Sequence, residues 1–156
     1  GLQGKIPYRM DKRIREWCFG SFDGAYDGDL FMGLIPRIFN VDHVHQLSYA
    51  ELAEGLVEVD TAGWAEGWEK LSGRIKEGFE TIAKEMEEQG GGNALVVSHG
   101  MTIGTIVYLI NGMHPHGLDN GSVTILEYED GQFSVEVVGD RSYRELGREK
   151  MEEIKN

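Results

Sequence analysis

The sequence predicts a single α/β domain with helices around a mostly parallel sheet. Apolar residues 94–98 form a predicted strand that leads through His99 and Gly100 into the apolar run 101–110. Residues 66–89 have the apolar spacing of a helix and are placed to cross over to that strand. A length of 156 residues is enough to bury one core, so we expect residues 1–156 to form one domain.

The first half of the chain predicts short elements. Residues 8–16 are expected to form a polar strand, and the aromatic and glycine-rich residues 17–24 a tight loop. Residues 25–39 have weak helical character. Ser48 and Glu51 are spaced as a capping box, which predicts a helix that ends near Leu56.

The second half of the chain has clearer sequence patterns for helices and strands. The amphipathic helix over 66–89 should end at the three consecutive glycines 90–92. After the strand at 93–98 we expect a helix over 101–111 that stops at Gly112. The remaining elements are a hairpin, with strands over 122–128 and 133–138 around an Asp-Gly turn, and a charged helical tail from Arg141.

Composition excludes several classes of protein. A net charge of −12 argues against nucleic acid or an anionic membrane surface as a partner. No apolar run approaches the roughly 18 residues of a membrane span, and no signal-peptide pattern is present. The single cysteine, Cys18, excludes an internal disulfide and favours a cytoplasmic location.

His99 and Gly100 carry the main indication of function. They are predicted to stand where a strand meets the N-terminus of a helix. Helix N-termini have unpaired N–H groups and a partial positive charge, so they bind anions. A histidine at this place predicts a protein that handles phosphoryl groups. The alternative for His99 is a hydrogen-bonded core histidine.

Two segments resemble motifs of the histidine phosphatase superfamily, also called the phosphoglycerate mutase-like family. Residues 14–24 contain an acidic residue, Glu16, then Gly20, an aromatic residue and the pair Asp23-Gly24. Residues 94–100 are similar to the family's second histidine motif.

Two further segments extend this resemblance. Residues 66–74 are similar to a helix start with an acidic residue and a later arginine, and residues 119–123 lead into strands like the family's last ones. The resemblance covers nearly all of residues 13–145.

The resemblance implies a three-layer fold and hydrolysis of a small phosphorylated metabolite through a phosphohistidine. It makes Glu16 the general acid for the leaving alkoxide and His99 a donor to the transferring phosphoryl group. The backbone amides of Gly100 and Met101 would hold phosphate, with Asn120 either orienting the pocket or only forming a turn. The segment at about 25–65 is expected to be a cap that determines substrate choice. No metal or organic cofactor is expected.

The sequence departs from the family in one respect. The Arg-His-Gly motif that supplies the nucleophile is not found in these residues, and the first residue is Gly1 rather than methionine. We therefore expect the first third of the fold, with its first strand, to lie outside this chain, and the chain alone to be inactive. A sheet that lacks this strand would need to pair its edge, by forming a homodimer or a strand-exchanged oligomer.

Other interpretations remain open. The family also contains phosphoglycerate mutases, so phosphoryl transfer is an alternative, as is an inactive anion-binding or scaffold module. Glu16 could pair with Arg13 or Arg15 on the surface. The pairs His43-x-His45 and His114-x-His116 are spaced as zinc ligands. The chain has no set of cysteine ligands to support a zinc site. Trp64 and Trp68 are predicted to be packing anchors.

Overall fold

A computed structural model describes residues 7–26, 28–115 and 117–155 of the chain. Within these ranges the structure has five α-helices and one two-stranded sheet. The elements are α1 (Ile35–Phe39), α2 (Tyr49–Val59), α3 (Trp68–Glu88), α4 (Gly100–Asn111), β1 (Val123–Glu129), β2 (Gln132–Asp140) and α5 (Ser142–Lys155). A π-helix, Asp29–Leu34, precedes α1, and 3-10 helices cover Lys12–Ile14, Gly20–Phe22 and Val44–Gln46.

The helices share one hydrophobic core. Apolar side chains of α2, α3 and α4 are fully buried against each other, because each helix carries its apolar residues on one face. Members of this core are Leu52, Leu56, Leu71, Ile75, Ile106 and Val107. Leu30 and Ile35 are also buried, so the segment at 25–65 contributes to the same core.

The helix predictions are confirmed. α3 coincides with the predicted amphipathic helix, and α4 ends at Gly112, which has the left-handed conformation that a glycine adopts freely. Ser48 and Glu51 make both hydrogen bonds of a capping box before α2. The residues after Arg141 form α5, and residues 29–39 are helical. No helix in the described ranges is long and apolar enough to cross a membrane.

The predicted hairpin is also confirmed. β1 and β2 pair antiparallel, with Glu129 opposite Gln132 at the turn. Asp130 and Gly131 both have positive φ, 51° and 79°. This conformation matches the twist of the two strands and favours an Asp-Gly pair.

The strand predicted over residues 8–16 is wrong. These residues contain the short 3-10 helix, and the carboxylate of Asp11 accepts the N–H of Arg13 at 2.9 Å. A local cap of this kind satisfies the backbone and competes with strand pairing.

The strand predicted at 93–98 is not paired. The residues at this place have no regular secondary structure, and none of them joins a sheet or makes a backbone–backbone hydrogen bond within the described ranges. Leu95 and Val97 are 78% and 80% exposed, whereas Val96 packs against the core. Strand assignment requires a neighbouring strand. The sheet that is present is antiparallel, so the mostly parallel sheet stays a prediction.

The two tryptophans predicted to be packing anchors, Trp64 and Trp68, differ in how far they are buried. Trp68 packs edge-on against Tyr108, with ring centroids 5.9 Å apart, as expected of a packing anchor. Trp64 is 69% exposed, so the prediction that it anchors the core is wrong. Trp64 lies in the irregular segment between α2 and α3, where no helix turns its ring inward.

Candidate active site

The carboxylate of Glu16 lies at the N-terminus of α4. Its oxygens accept the backbone N–H of Met101 at 3.2 Å and of Thr102 at 3.0 Å. The hydroxyl of Thr102 donates to the same carboxylate at 3.1 Å. A carboxylate is stabilised here because the first amides of a helix have no partner within the helix. The alternative of a surface pair with Arg13 or Arg15 is not what the structure shows, since both arginines contact other acids.

The segment that carries Glu16 is held by Arg74 on α3. The guanidinium of Arg74 donates to the carbonyl oxygens of Arg13, Arg15 and Glu16, at 2.7, 3.0 and 3.1 Å. It also forms two hydrogen bonds with the buried carboxylate of Glu66, at 2.7 and 3.0 Å. One side chain thus ties the backbone of residues 13–16 to the start of α3.

Glu66 remains ionised although its side chain is only 2% exposed. Burial opposes the charged form, but the hydrogen bonds and charge of Arg74, with the charges of Arg15 and Lys70, hold the pKa of Glu66 below its ordinary value. In the sequence, Glu66 and Arg74 stand out only through the resemblance of residues 66–74 to a family helix start. Their role was missed because their target, the backbone carbonyls of 13–16, has no sequence signature.

Three further hydrogen bonds join the Glu16 segment to α4 and to the residue before His99. The hydroxyl of Thr102 donates to the carbonyl of Arg15 at 2.7 Å, and that of Ser98 to the carbonyl of Ile14 at 2.7 Å. The buried indole N–H of Trp17 donates to Thr105 at 3.0 Å. Side chains on either side of His99 therefore fix Glu16 relative to α4.

His99 is the N-cap residue of α4, and its side chain is exposed. It directly precedes Gly100 and Met101, so His99 stands at the same helix N-terminus as the Glu16 carboxylate. The Gly100 amide donates to no acceptor in the described part of the chain. The Met101 amide, expected to hold phosphate, is engaged by Glu16 instead.

A cavity of about 310 Å³ opens beside Glu16. Its walls come from the loop after Glu16 and from the residues that lead into the π-helix. Most of the lining residues are aromatic, aliphatic or small: Trp17, Phe19, Phe22, Gly24, Ala25, Tyr26 and Leu30. Asp23 is the second acidic residue of the lining, and no lysine or arginine lines the cavity in the described ranges.

Asp60 ties the loop that carries Phe19 and Phe22 to the segment after α2. Its carboxylate accepts the N–H groups of Ser21, Ala62, Trp64 and Ala65. The hydrogen bond from Ala65 and those from the other amides hold the pKa of Asp60 well below its ordinary value.

Tyr49 packs below the site. Burial, together with the negative charge of Glu16, raises the pKa of its hydroxyl to about 12. Its ring packs edge-on against Trp17, with centroids 5.9 Å apart. Gly104 of α4 faces this hydroxyl so closely that a Cβ there would overlap it.

Two sets of predicted residues lie apart from this arrangement. The backbone carbonyl of Asn120 accepts a hydrogen bond from Arg144, in the turn before β1, and no contact joins Asn120 to Glu16.

The ring of His114 stacks on Tyr49 at 5.0 Å, while His116 lies outside the described residues. Among described residues, no group of three or more His, Cys, Asp or Glu is arranged to hold a metal ion.

Comparison with known proteins identifies the family. The structure is similar to the crystal structure of phosphoglycerate mutase from Bacillus anthracis str. Sterne, with a TM-score of 0.85 and 34% identity. The similarity covers 94% of this chain and 66% of that one. Comparison with curated proteins gives no match. The model of the histidine phosphatase superfamily (branch 1) matches residues 1–141, and the chain therefore belongs to that superfamily.

Proposed function

We propose that the chain is part of a cytoplasmic phosphomonoester hydrolase that acts through a phosphohistidine, with the nucleophilic histidine outside these residues. The observation that supports this best is the hydrogen bonding of Glu16 to the amides of Met101 and Thr102. It brings a carboxyl group to the helix N-terminus that follows His99, from a segment 85 residues away. An acid and an imidazole beside free helix amides are two of the parts that phosphoryl transfer uses, apart from the nucleophile.

Each group then has a proposed role. His99 donates to an oxygen of the transferring phosphoryl group, and the unpaired Gly100 amide donates to another. Glu16 protonates the alkoxide as the alcohol leaves and accepts a proton from water in the second step. Binding of phosphate at Met101 requires Glu16 to release that amide. Asn120 is proposed only as a turn residue.

Anion binding tests this proposal on the chain as it stands. We expect inorganic phosphate to shift the NMR signals of the Gly100 amide and the His99 ring, and His99→Asn to abolish binding. The matched control is His43→Asn, at an exposed position before the 3-10 helix at Val44. Phosphate binding that survives His99→Asn, or that leaves Gly100 unshifted, would contradict the proposal.

Turnover tests the position of the nucleophile. We expect no hydrolysis of p-nitrophenyl phosphate by residues 1–156 alone, and hydrolysis by a form extended at the N-terminus. Robust turnover by the short form would show that the nucleophile is among these residues.

Phosphoglycerate mutase-type transfer is the second candidate, because the similar solved structure is a phosphoglycerate mutase. An extended, active form separates the two: a hydrolase releases inorganic phosphate from 3-phosphoglycerate or another monoester, and a mutase yields the isomeric phosphoglycerate. Phosphate binding without either activity in that form would favour an inactive anion-binding module.

A further inference from the structure

The cavity beside Glu16 is walled almost entirely by uncharged side chains. Phe19, Phe22 and Tyr26 supply aromatic surface, and a volume of about 310 Å³ is enough for one small organic group. Glu16 lines the cavity and also contacts the N-terminus of α4. The cavity therefore begins where the alcohol oxygen of a bound phosphomonoester would lie.

The charges of the described lining disfavour a second anionic group on the substrate. Glu16 and Asp23 are its two acidic residues, and its described lining has no lysine or arginine. In this space a carboxylate or a second phosphate would meet Glu16 and Asp23, with no lysine or arginine of the described lining to balance its charge.

The same carboxylates do not require a cationic ligand. The Glu16 carboxylate is satisfied by the amides of α4. Asp23 accepts the N–H of Phe19 at 3.1 Å and contacts the thiol of Cys18. Since both acids have donors from the protein itself, the other side chains of the lining are uncharged, and most of them are aromatic or aliphatic.

The walls are also held in place before any ligand binds. Asp60 accepts the amide of Ser21, and Asp23 closes the loop from Phe19 to Asp23. The ring of Phe19 packs edge-on against Phe31, with centroids 5.8 Å apart. A preformed apolar cavity loses little conformational freedom when an apolar group enters it.

We propose that this cavity binds the alcohol portion of the substrate, and that this portion is a neutral aromatic or apolar group. The assignment rests on the proposed function, because it places the phosphoryl group at Gly100. It names the substrate class as monoesters of apolar alcohols, in contrast to phosphorylated acids or bisphosphates.

NMR titration of the chain tests the assignment with four probes: phenyl phosphate, phenol, 3-phosphoglycerate and inorganic phosphate. We expect phenyl phosphate and phenol to shift the amides of Phe22 and Gly24, and inorganic phosphate to shift Gly100 and the His99 ring but neither of those two amides. Phenyl phosphate should bind about tenfold more tightly than 3-phosphoglycerate, the order expected from burying an aromatic ring. Equal or tighter binding of 3-phosphoglycerate would overturn the assignment.

The variant Phe22→Ala provides the second test. It should weaken phenyl phosphate by about fivefold or more and leave the affinity for inorganic phosphate unchanged. Tyr143→Ala removes an exposed ring of α5 and should change neither affinity. Unchanged phenyl phosphate binding in Phe22→Ala would overturn the assignment. Failure of the proposed function gives a different result, because inorganic phosphate would then leave Gly100 unshifted in the unmodified chain.

Discussion

Gly104 shows how closely α4 approaches the ring of Tyr49. Its position is buried in the middle of the helix, and a Cβ there would overlap the tyrosine hydroxyl. A glycine normally weakens a helix, so its presence here indicates that the close approach outweighs the helix propensity.

We expect Gly104→Ala to destabilise the protein by about 1–3 kcal/mol, because the methyl group overpacks the core. Gly73→Ala is the matched control, since Gly73 lies in α3 with open space around it. That control should raise stability by about 0.5–1 kcal/mol. Urea unfolding measures both changes, and adding Tyr49→Phe to Gly104→Ala should restore part of the loss. A stable Gly104→Ala protein would contradict the close approach.

Asp60 predicts a pH-dependent stability. Its pKa is lowered in the folded state by the amides it accepts, so its ionised form stabilises the fold at neutral pH. That contribution is present above the unfolded pKa, near about 4, and is lost as the pH falls toward the folded value. We expect Asp60→Asn to lower the melting temperature at neutral pH, with the difference from the unmodified chain shrinking below about pH 4.

The control for this measurement is Asp130→Asn. Asp130 lies in the hairpin turn, where the left-handed conformation suits asparagine equally well. Its melting temperature should follow that of the unmodified chain at every pH. A difference between Asp60→Asn and the unmodified chain that does not change with pH would contradict the assigned role of the Asp60 charge.

At the scale of elements, Arg74 joins α3 to the segment that carries Glu16. Arg74 and Glu66 are both nearly buried, and without Arg74 the Glu66 carboxylate keeps only Arg15 and Lys70, whose side chains are 47% and 75% exposed. We expect Arg74→Ala to cost about 3 kcal/mol or more, by urea unfolding, and to shift the Met101 and Thr102 amide signals as Glu16 moves.

Glu77→Ala is the control on the same helix. Glu77 pairs with Arg13 but is 69% exposed, so its loss should cost less than about 1 kcal/mol. Amide signals of Met101 and Thr102 that are unchanged in Arg74→Ala would show that Arg74 does not position Glu16.

The long helices and the hairpin were predictable because the sequence patterns that indicate them lie within the elements themselves or directly beside them. α2, α3, α4 and the hairpin follow from a capping box, apolar periodicity and an Asp-Gly turn. The segment at 8–16 was assigned incorrectly because its structure depends on Asp11 and on the distant Arg74. The sequence pattern placed His99 at a helix N-terminus and the family resemblance added Glu16 as a site residue, whereas the hydrogen bonds of Glu16 to that helix required the structure.

At the scale of the whole molecule, residues 93–98 are exposed apart from Val96 and Ser98, which are half-buried. Leu95 and Val97 face outward, and the backbone around them has no hydrogen-bonding neighbour in the described ranges. Open strand edges with apolar side chains pair with other chains. The segment has no charged residue to oppose such pairing.

We therefore expect the chain to self-associate through this edge, as a dimer or strand-exchanged oligomer. Size-exclusion chromatography over a range of concentrations should show the larger species, and Leu95→Lys with Val97→Lys should reduce it. Val57→Lys, at an exposed apolar position of α2, is the control and should leave association unchanged. A monomer at all concentrations would contradict this expectation.

The buried indole of Trp17 has a practical consequence. It adjoins Glu16 in sequence, is 4% exposed and is bonded to Thr105, whereas Trp64 is largely in water. The emission of Trp17 should therefore be blue-shifted relative to that of Trp64 and resistant to aqueous quenchers. The protein thus carries an intrinsic fluorophore whose signal follows movement of the acid against the helix, without any label.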